Sequence, residues 1–202
     1  MSNYGSFSGD PKTKWLSESN EPDRYMELLE DFVYTDANGK KWIAKKGTKI
    51  NGASIPRALW SIVGSPFAGD YRRASIVHDA AIKDSSIERE EADKMFYYAC
   101  LAGGCSKEQT ALLFAGTRLK AYYNKSKNIN ELDGASIFSS IKEKYFGIEK
   151  EIRNKYFEIA KPIKNNMANK TFEELSEWMK AAIENKKIKN RIFSFFKKLW
   201  PF

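Results

Sequence analysis

Hydrophobic and polar residues change rhythm several times along this chain. Up to residue 24, Ser, Gly, Asn, Asp and Pro mix without a sustained period, which predicts an extended or loosely held arm. From Tyr25 short runs of strand formers take over. Phe32-Val33-Tyr34 and Lys41-Trp42-Ile43-Ala44 flank Asp36-Ala37-Asn38-Gly39. Asn-Gly between two such runs is a strong hairpin signal, because both residues tolerate the positive φ of a tight turn. Gly47 permits a further bend before Thr48-Lys49-Ile50. These runs predict a small antiparallel sheet that serves as scaffold.

The period then lengthens to that of helices. Ala74, Val77, His78 and Ala81 recur at i, i+3, i+4, i+7, predicting a helix from Gly69 or Asp70 to about Lys83 that carries His78 on its apolar face. Ser85-Ser86-Ile87-Glu88 reads as a capping box for a second helix, which runs to about Leu101 and stops at Gly103-Gly104. Ser106-Lys107-Glu108-Gln109 is another, opening a third helix towards Tyr123. The link between the first two helices is short, so they are expected antiparallel, with Ala92, Asp93, Phe96 and Ala99 or Cys100 on the inner face of the second.

Residues 124–133 form a polar linker and the expected domain boundary. Beyond it Ile137, Ile141, Tyr145, Ile148, Ile152, Tyr156 and Ile159 trace one long amphipathic helix ending near Pro162. Thr171-Phe172-Glu173-Glu174 caps another, bearing Leu175, Trp178, Met179 and Ala182. After Glu184 no acidic residue follows. Lys189, Arg191, Lys197 and Lys198 instead surround Phe195, Phe196 and Trp200. A cationic helix with aromatic residues suits an anionic membrane interface, and it equally suits a protein partner docked on residues 134–202.

The whole is expected to be α+β: an arm (1–24), a hairpin sheet with a three-helix core (25–123), a linker (124–133) and a helical tail (134–202). A length of 202 residues allows a substantial core, and 42% hydrophobic with 30% charged residues is ordinary for a globular chain. The net charge of +8 favours acidic partners. Lipid is preferred to nucleic acid, since no nucleic-acid-reading motif is present. Two cysteines make no disulfide framework and no signal peptide is visible, so a cytoplasmic location, peripheral at the membrane, is expected. No apolar run approaches the roughly 20 residues needed to span a bilayer.

Only one histidine is present, which removes metallopeptidases of the H-E-x-x-H kind and multi-histidine phosphohydrolases. That histidine, His78, precedes Asp79, and Asp93 can face it from the neighbouring helix. An imidazole held by a buried carboxylate keeps its other nitrogen as a base able to activate water against an ester. Asp79 points to a different side of the helix, towards whatever loop packs there, and the small residues Asn51-Gly52-Ala53-Ser54 are candidates to present carbonyls to a calcium ion that polarises the ester. The same residues also admit a structural reading, in which His78 and Asp93 form a core hydrogen bond and Asp79 pairs with Arg72, Arg73 or Arg89. A zinc set of Cys100, Cys105 and His78 lacks an evident fourth ligand.

Together Gly52-Ala53-Ser54-Ile55-Pro56-Arg57, Trp60, His78-Asp79 and Arg89 through Ala92-Asp93 to Phe96 resemble the pattern of a family of unknown function from phage and bacterial genomes. The resemblance covers roughly residues 25–123. That pattern is in turn similar to prokaryotic phospholipase A2. The likeness implies His78 as base, Asp93 as its orienting partner, and Asp79 with Asn51 and Gly52 at a calcium site. Ser54, Arg57, Trp60 and Arg89 are then supporting residues. Asn51 stands where the family usually has aspartate, and Ala80, Ala81 and Ile82 follow where an aromatic is usual. The implied function is a metal-assisted hydrolase of lipid esters. Its alternative is a non-enzymatic phage or host-interaction protein that uses the basic tail.

Overall fold

A computed structural model describes residues 4–18, 21–52, 55, 59, 61, 64, 69–127 and 139–184. Within them the chain is α+β, with two three-stranded antiparallel sheets followed by five α-helices. The strands are β1 (Ser6–Phe7), β2 (Thr13–Glu18), β3 (Glu21–Leu28), β4 (Phe32–Thr35), β5 (Lys41–Ala44) and β6 (Lys49–Ile50). They order as β1-β4-β5 in one sheet and β2-β3-β6 in the other.

The expected hairpin is β4–β5, in register Phe32↔Ala44 and Tyr34↔Trp42. Its turn works as the sequence suggests. Gly39 takes a φ of +83°, and Asp36 Oδ1 accepts the amides of Asn38 (2.9 Å) and Lys40 (3.0 Å). Period-two alternation sends Phe32, Tyr34, Trp42 and Ala44 into the core. Met26, Leu28 and Ile50 do the same for the second sheet.

The N-terminal region, expected as an extended or loosely held arm, is extended. Residues 6–7 and 13–18 are strands, and β3 already begins at Glu21. Cross-strand pairs Trp15↔Met26 and Leu16↔Tyr25 hold β2 to β3. Lysine and glutamate around Trp15-Leu16 hide an alternation that only the partner strand makes plain.

The helices are α1 (Arg72–Ala81), α2 (Arg89–Ala102), α3 (Lys107–Lys127), α4 (Ser139–Asn165) and α5 (Phe172–Glu184), with a 3-10 turn at Met167–Asn169. Helix α1 packs on α2 and against β4, β5 and β6. Arg73 reaches Gly103 while His78 reaches Asp93, so α1 and α2 run antiparallel. Being sandwiched, α1 buries nearly its whole circumference, including Ser75, His78 and Asp79.

Two of the three expected boxes cap their helices, that at Ser106 through its serine arm and that at Thr171 through both. The Gln109 amide donates to Ser106 Oγ (3.1 Å), and Thr171 and Glu174 bond reciprocally. The box at residues 85–88 does not. Asp84 Oδ1 captures both the amide and the hydroxyl of Ser86, and α2 starts three residues later, at Arg89. Helix α3 runs into the expected linker as far as Lys127, and α4 passes through Pro162 to Asn165. Among the described residues no helix is long and apolar enough to cross a membrane.

Candidate functional site

The centre of the α1–α2 seam is polar. His78 Nε2 lies 2.8 Å from Asp93 Oδ1, and neither residue has exposed surface. A carboxylate accepts, so the ring proton sits on Nε2 and the lone pair on Nδ1. The Phe96 ring packs on the imidazole at a centroid distance of 4.7 Å. His78 Nδ1 is buried and has no hydrogen-bond partner among the described residues.

Asp93 is held by more than the histidine. Arg89, one turn earlier on α2, places Nε 2.9 Å from the same Oδ1. Arg118, from α3, places Nη1 3.3 Å from Oδ2. Burial pushes the Asp93 carboxyl up, but the hydrogen bond from His78 and the charge and hydrogen bond of Arg89 outweigh it and hold it below the ordinary range. Arg89 also contacts the Thr117 carbonyl (3.5 Å) and Arg118 contacts Glu90 (3.4 Å), so three helices meet at one carboxylate.

Asp79 faces the sheet side of α1, as expected of the next residue around a helix. Its Oδ2 accepts the Asn51 amide at 3.1 Å, and Lys83 reaches the Lys49 carbonyl beside it (2.8 Å). Burial drives the Asp79 carboxyl above the ordinary range, more than Lys83 and the Asn51 amide pull it down. The structure therefore brings Asp79 and Asn51 together, with Gly52 next in line at a φ of +86°. The contact is an amide donating to the carboxylate, not two oxygens facing a common ion. Calcium takes roughly six to eight oxygen ligands. Among the described residues no group of three or more His, Cys, Asp or Glu is placed to hold a metal. The described residues alone do not make up that donor set.

Arg89 binds Asp93 rather than Asp79. Arg118 was not among the residues the sequence suggested. It lies 25 positions from Asp93, and only the packing of α3 on α2 brings the two together. Arg89 does carry a sequence signal, the i, i+4 spacing to Asp93. Ser54, Arg57 and Trp60 lie outside the described residues, as do Lys189, Arg191, Phe195, Phe196, Lys197, Lys198 and Trp200. Cys100 and Cys105 are free and buried. A cleft of about 230 Å³ opens at the N-terminal end of α1, lined by Asp10, Gly69, Asp70, Arg72, Arg73 and Gly103.

Residues 26–117 match the model of a family described as a protein of unknown function (DUF1353). That span contains the end of β3, strands β4 to β6, α1, α2 and the half of α3 next to the site. Two Sinorhizobium fredii (strain NBRC 101917 / NGR234) proteins are similar. "Uncharacterized protein y4jT" is 39% identical over 101 residues, 50% of this chain and 30% of the relative. "Uncharacterized protein y4iH" is 41% identical over 87 residues, 43% of this chain and 36% of the relative. This chain thus spans about a third of the length of the curated relatives it matches. No solved structure matches it.

Proposed function

We propose that this protein hydrolyses a lipid ester, with His78 as the general base and Asp93 as its positioning residue. The observation that carries the reading is the bare, buried Nδ1 on the far side of the ring from Asp93. A buried polar atom without a partner is uncommon, and a water or a reacting group is what such an atom accepts. Asp79 supports it, since a carboxyl kept where burial opposes its charge is a feature concentrated at functional sites.

In the proposed step, Nδ1 takes a proton from water as its oxygen bonds to the ester carbonyl carbon. The ring becomes imidazolium, and the ionised Asp93 balances the new charge through Nε2. When the tetrahedral intermediate collapses, the carbon–alkoxide bond breaks and Nδ1 returns the proton to the leaving oxygen. The products are a carboxylic acid and an alcohol. The similarity to prokaryotic phospholipase A2 adds calcium beside Asp79, Asn51 and Gly52. The described residues do not complete that set, and the step above needs only His78 and Asp93. The lipid class, the phage association and a peripheral position on the membrane belong to the same proposal.

The test is acyl-chain release from phosphatidylglycerol–phosphatidylcholine vesicles by the full chain, with calcium or with a chelator. His78→Gln keeps an N–H for Asp93 and is expected to cut release about 100-fold or more while far-UV circular dichroism stays unchanged. Equal release by both proteins, or none by either, overturns the reading.

The complete burial of His78 favours a second reading. There the His–Asp–Arg cluster is a structural hub, and the protein is a non-enzymatic phage or host-interaction protein. It predicts no release, and partner binding that His78→Gln leaves intact.

A further inference from the structure

Helix α4 turns two unlike faces outward and inward. Ile152, Tyr156, Ile159, Ala160 and Ile163 are buried. The Tyr156 hydroxyl donates to the Leu112 carbonyl of α3 (3.3 Å), and Tyr123 of α3 donates to Glu151 (3.1 Å). These contacts fix the helix's rotation. Lys150, Arg153, Phe157, Lys161 and Lys164 are left exposed on the other side. Their spacing of three, four, four and three confines them to an arc of roughly 80°, along roughly 21 Å of helix.

The stripe is cationic throughout. None of Lys150, Arg153, Lys161 and Lys164 has an ion-pair partner among the described residues. The nearby acids are turned to other tasks, Glu151 to Tyr123 and Glu158 to Lys155 (3.7 Å). Phe157 lies in the middle, 49% exposed, with the Arg153 guanidinium 5.8 Å from its ring centre. Phe157 thus gives the cationic stripe a large apolar centre.

We propose that this face of α4 docks the protein on an anionic lipid surface, with Phe157 at headgroup depth and the four cations on lipid phosphates. A straight helical stripe meets a flat surface along its whole length, and a central aromatic gains from the acyl boundary while lysines stretch outward to phosphate. A nucleic-acid duplex would satisfy the charges but keeps its base faces stacked inside, leaving the ring without an apolar partner. The choice of lipid deepens the hydrolase reading. The experiment reads binding alone, so either proposal can fail without the other.

The full chain carrying Phe157→Cys is labelled with bimane, the native thiols being buried. It is then titrated with phosphatidylglycerol vesicles, phosphatidylcholine vesicles and duplex DNA. The expected result is a blue shift with phosphatidylglycerol only, in parallel with sedimentation of the protein. Lys161→Gln with Lys164→Gln is expected to weaken vesicle binding about 25-fold, at roughly fivefold for each cation. Sedimentation with phosphatidylglycerol without a shift at residue 157 overturns the proposal, because binding then lies elsewhere on the chain. A shift with DNA alone, equal shifts with both lipids, or no binding at all overturns it too.

Discussion

Asp93→Asn preserves the shape of the side chain and removes its charge. In the native protein one oxygen receives His78 Nε2 (2.8 Å) and Arg89 Nε (2.9 Å), and the other receives Arg118 Nη1 (3.3 Å). An amide turns one of those oxygens into a donor, which then faces a donor already present. Whichever way it is turned, at least one buried group loses its partner. Removing one side of a buried ion pair costs about 3–5 kcal/mol. Side chains of Arg89 and Arg118 are 35% and 16% exposed, so water recovers part of what they lose. The expected loss is therefore at the lower end, about 3 kcal/mol. For a chain of this length that lowers the thermal midpoint by about 6–12 °C. Urea and thermal unfolding of Asp93→Asn, Arg118→Gln and the double variant measure it, the double losing less than the sum by about 0.5–3 kcal/mol. A loss under about 1 kcal/mol for Asp93→Asn, or strict additivity, refutes the picture of one carboxylate holding three helices.

Other consequences are open to the same instruments. Burial makes folded Asp79 keep its proton to higher pH than the unfolded chain's ~3.9, so its contribution to stability falls as pH rises from about 4 through the raised folded value. Asp79→Asn should abolish that decline in urea midpoints, and a profile parallel to the native one contradicts the assignment. Asp93 acts in the opposite sense: its contribution is complete above about 4 and is lost as pH falls through the lowered folded value. A Cβ on Gly103 would stand 2.5 Å from the Asp70 carbonyl oxygen, so Gly103→Ala should cost about 1–3 kcal/mol in chemical denaturation. An unchanged midpoint would mean the end of α2 is not clamped to the start of α1. His78 has no exposed surface, so diethyl pyrocarbonate should modify it only as fast as the site opens. Phosphatidylglycerol vesicles should accelerate the modification, and a rate like that of free imidazole without lipid contradicts the burial.

Local chemistry was legible wherever one segment determined it. The Asn38-Gly39 turn, the caps at Ser106 and Thr171 and the pairing of His78 with Asp93 each follow from short spacings, and each is present. What depended on a distant partner was not legible. Strand β2 exists because Trp15 and Leu16 meet Met26 and Tyr25, while Arg118 reaches Asp93 only through the crossing of α3 and α2. In place of the box at residues 85–88 the chain makes a turn on Asp84, whose side chain accepts the Ser86 amide and hydroxyl and whose carbonyl accepts the Ile87 amide. The cationic stripe of α4 was hidden in a different way. Its buried positions were readable as a period, but the exposed ones gain meaning only once the helix's rotation is fixed by α3.

Histidine-selective 15N labelling gives a single imidazole, since the chain contains one histidine. Long-range proton–nitrogen correlation then reports which ring nitrogen carries the proton in the neutral form. The account predicts a proton on Nε2 and a bare Nδ1, with the preference weakened by Asp93→Asn. A neutral ring protonated on Nδ1 would contradict it, because no base would then remain to act on an ester.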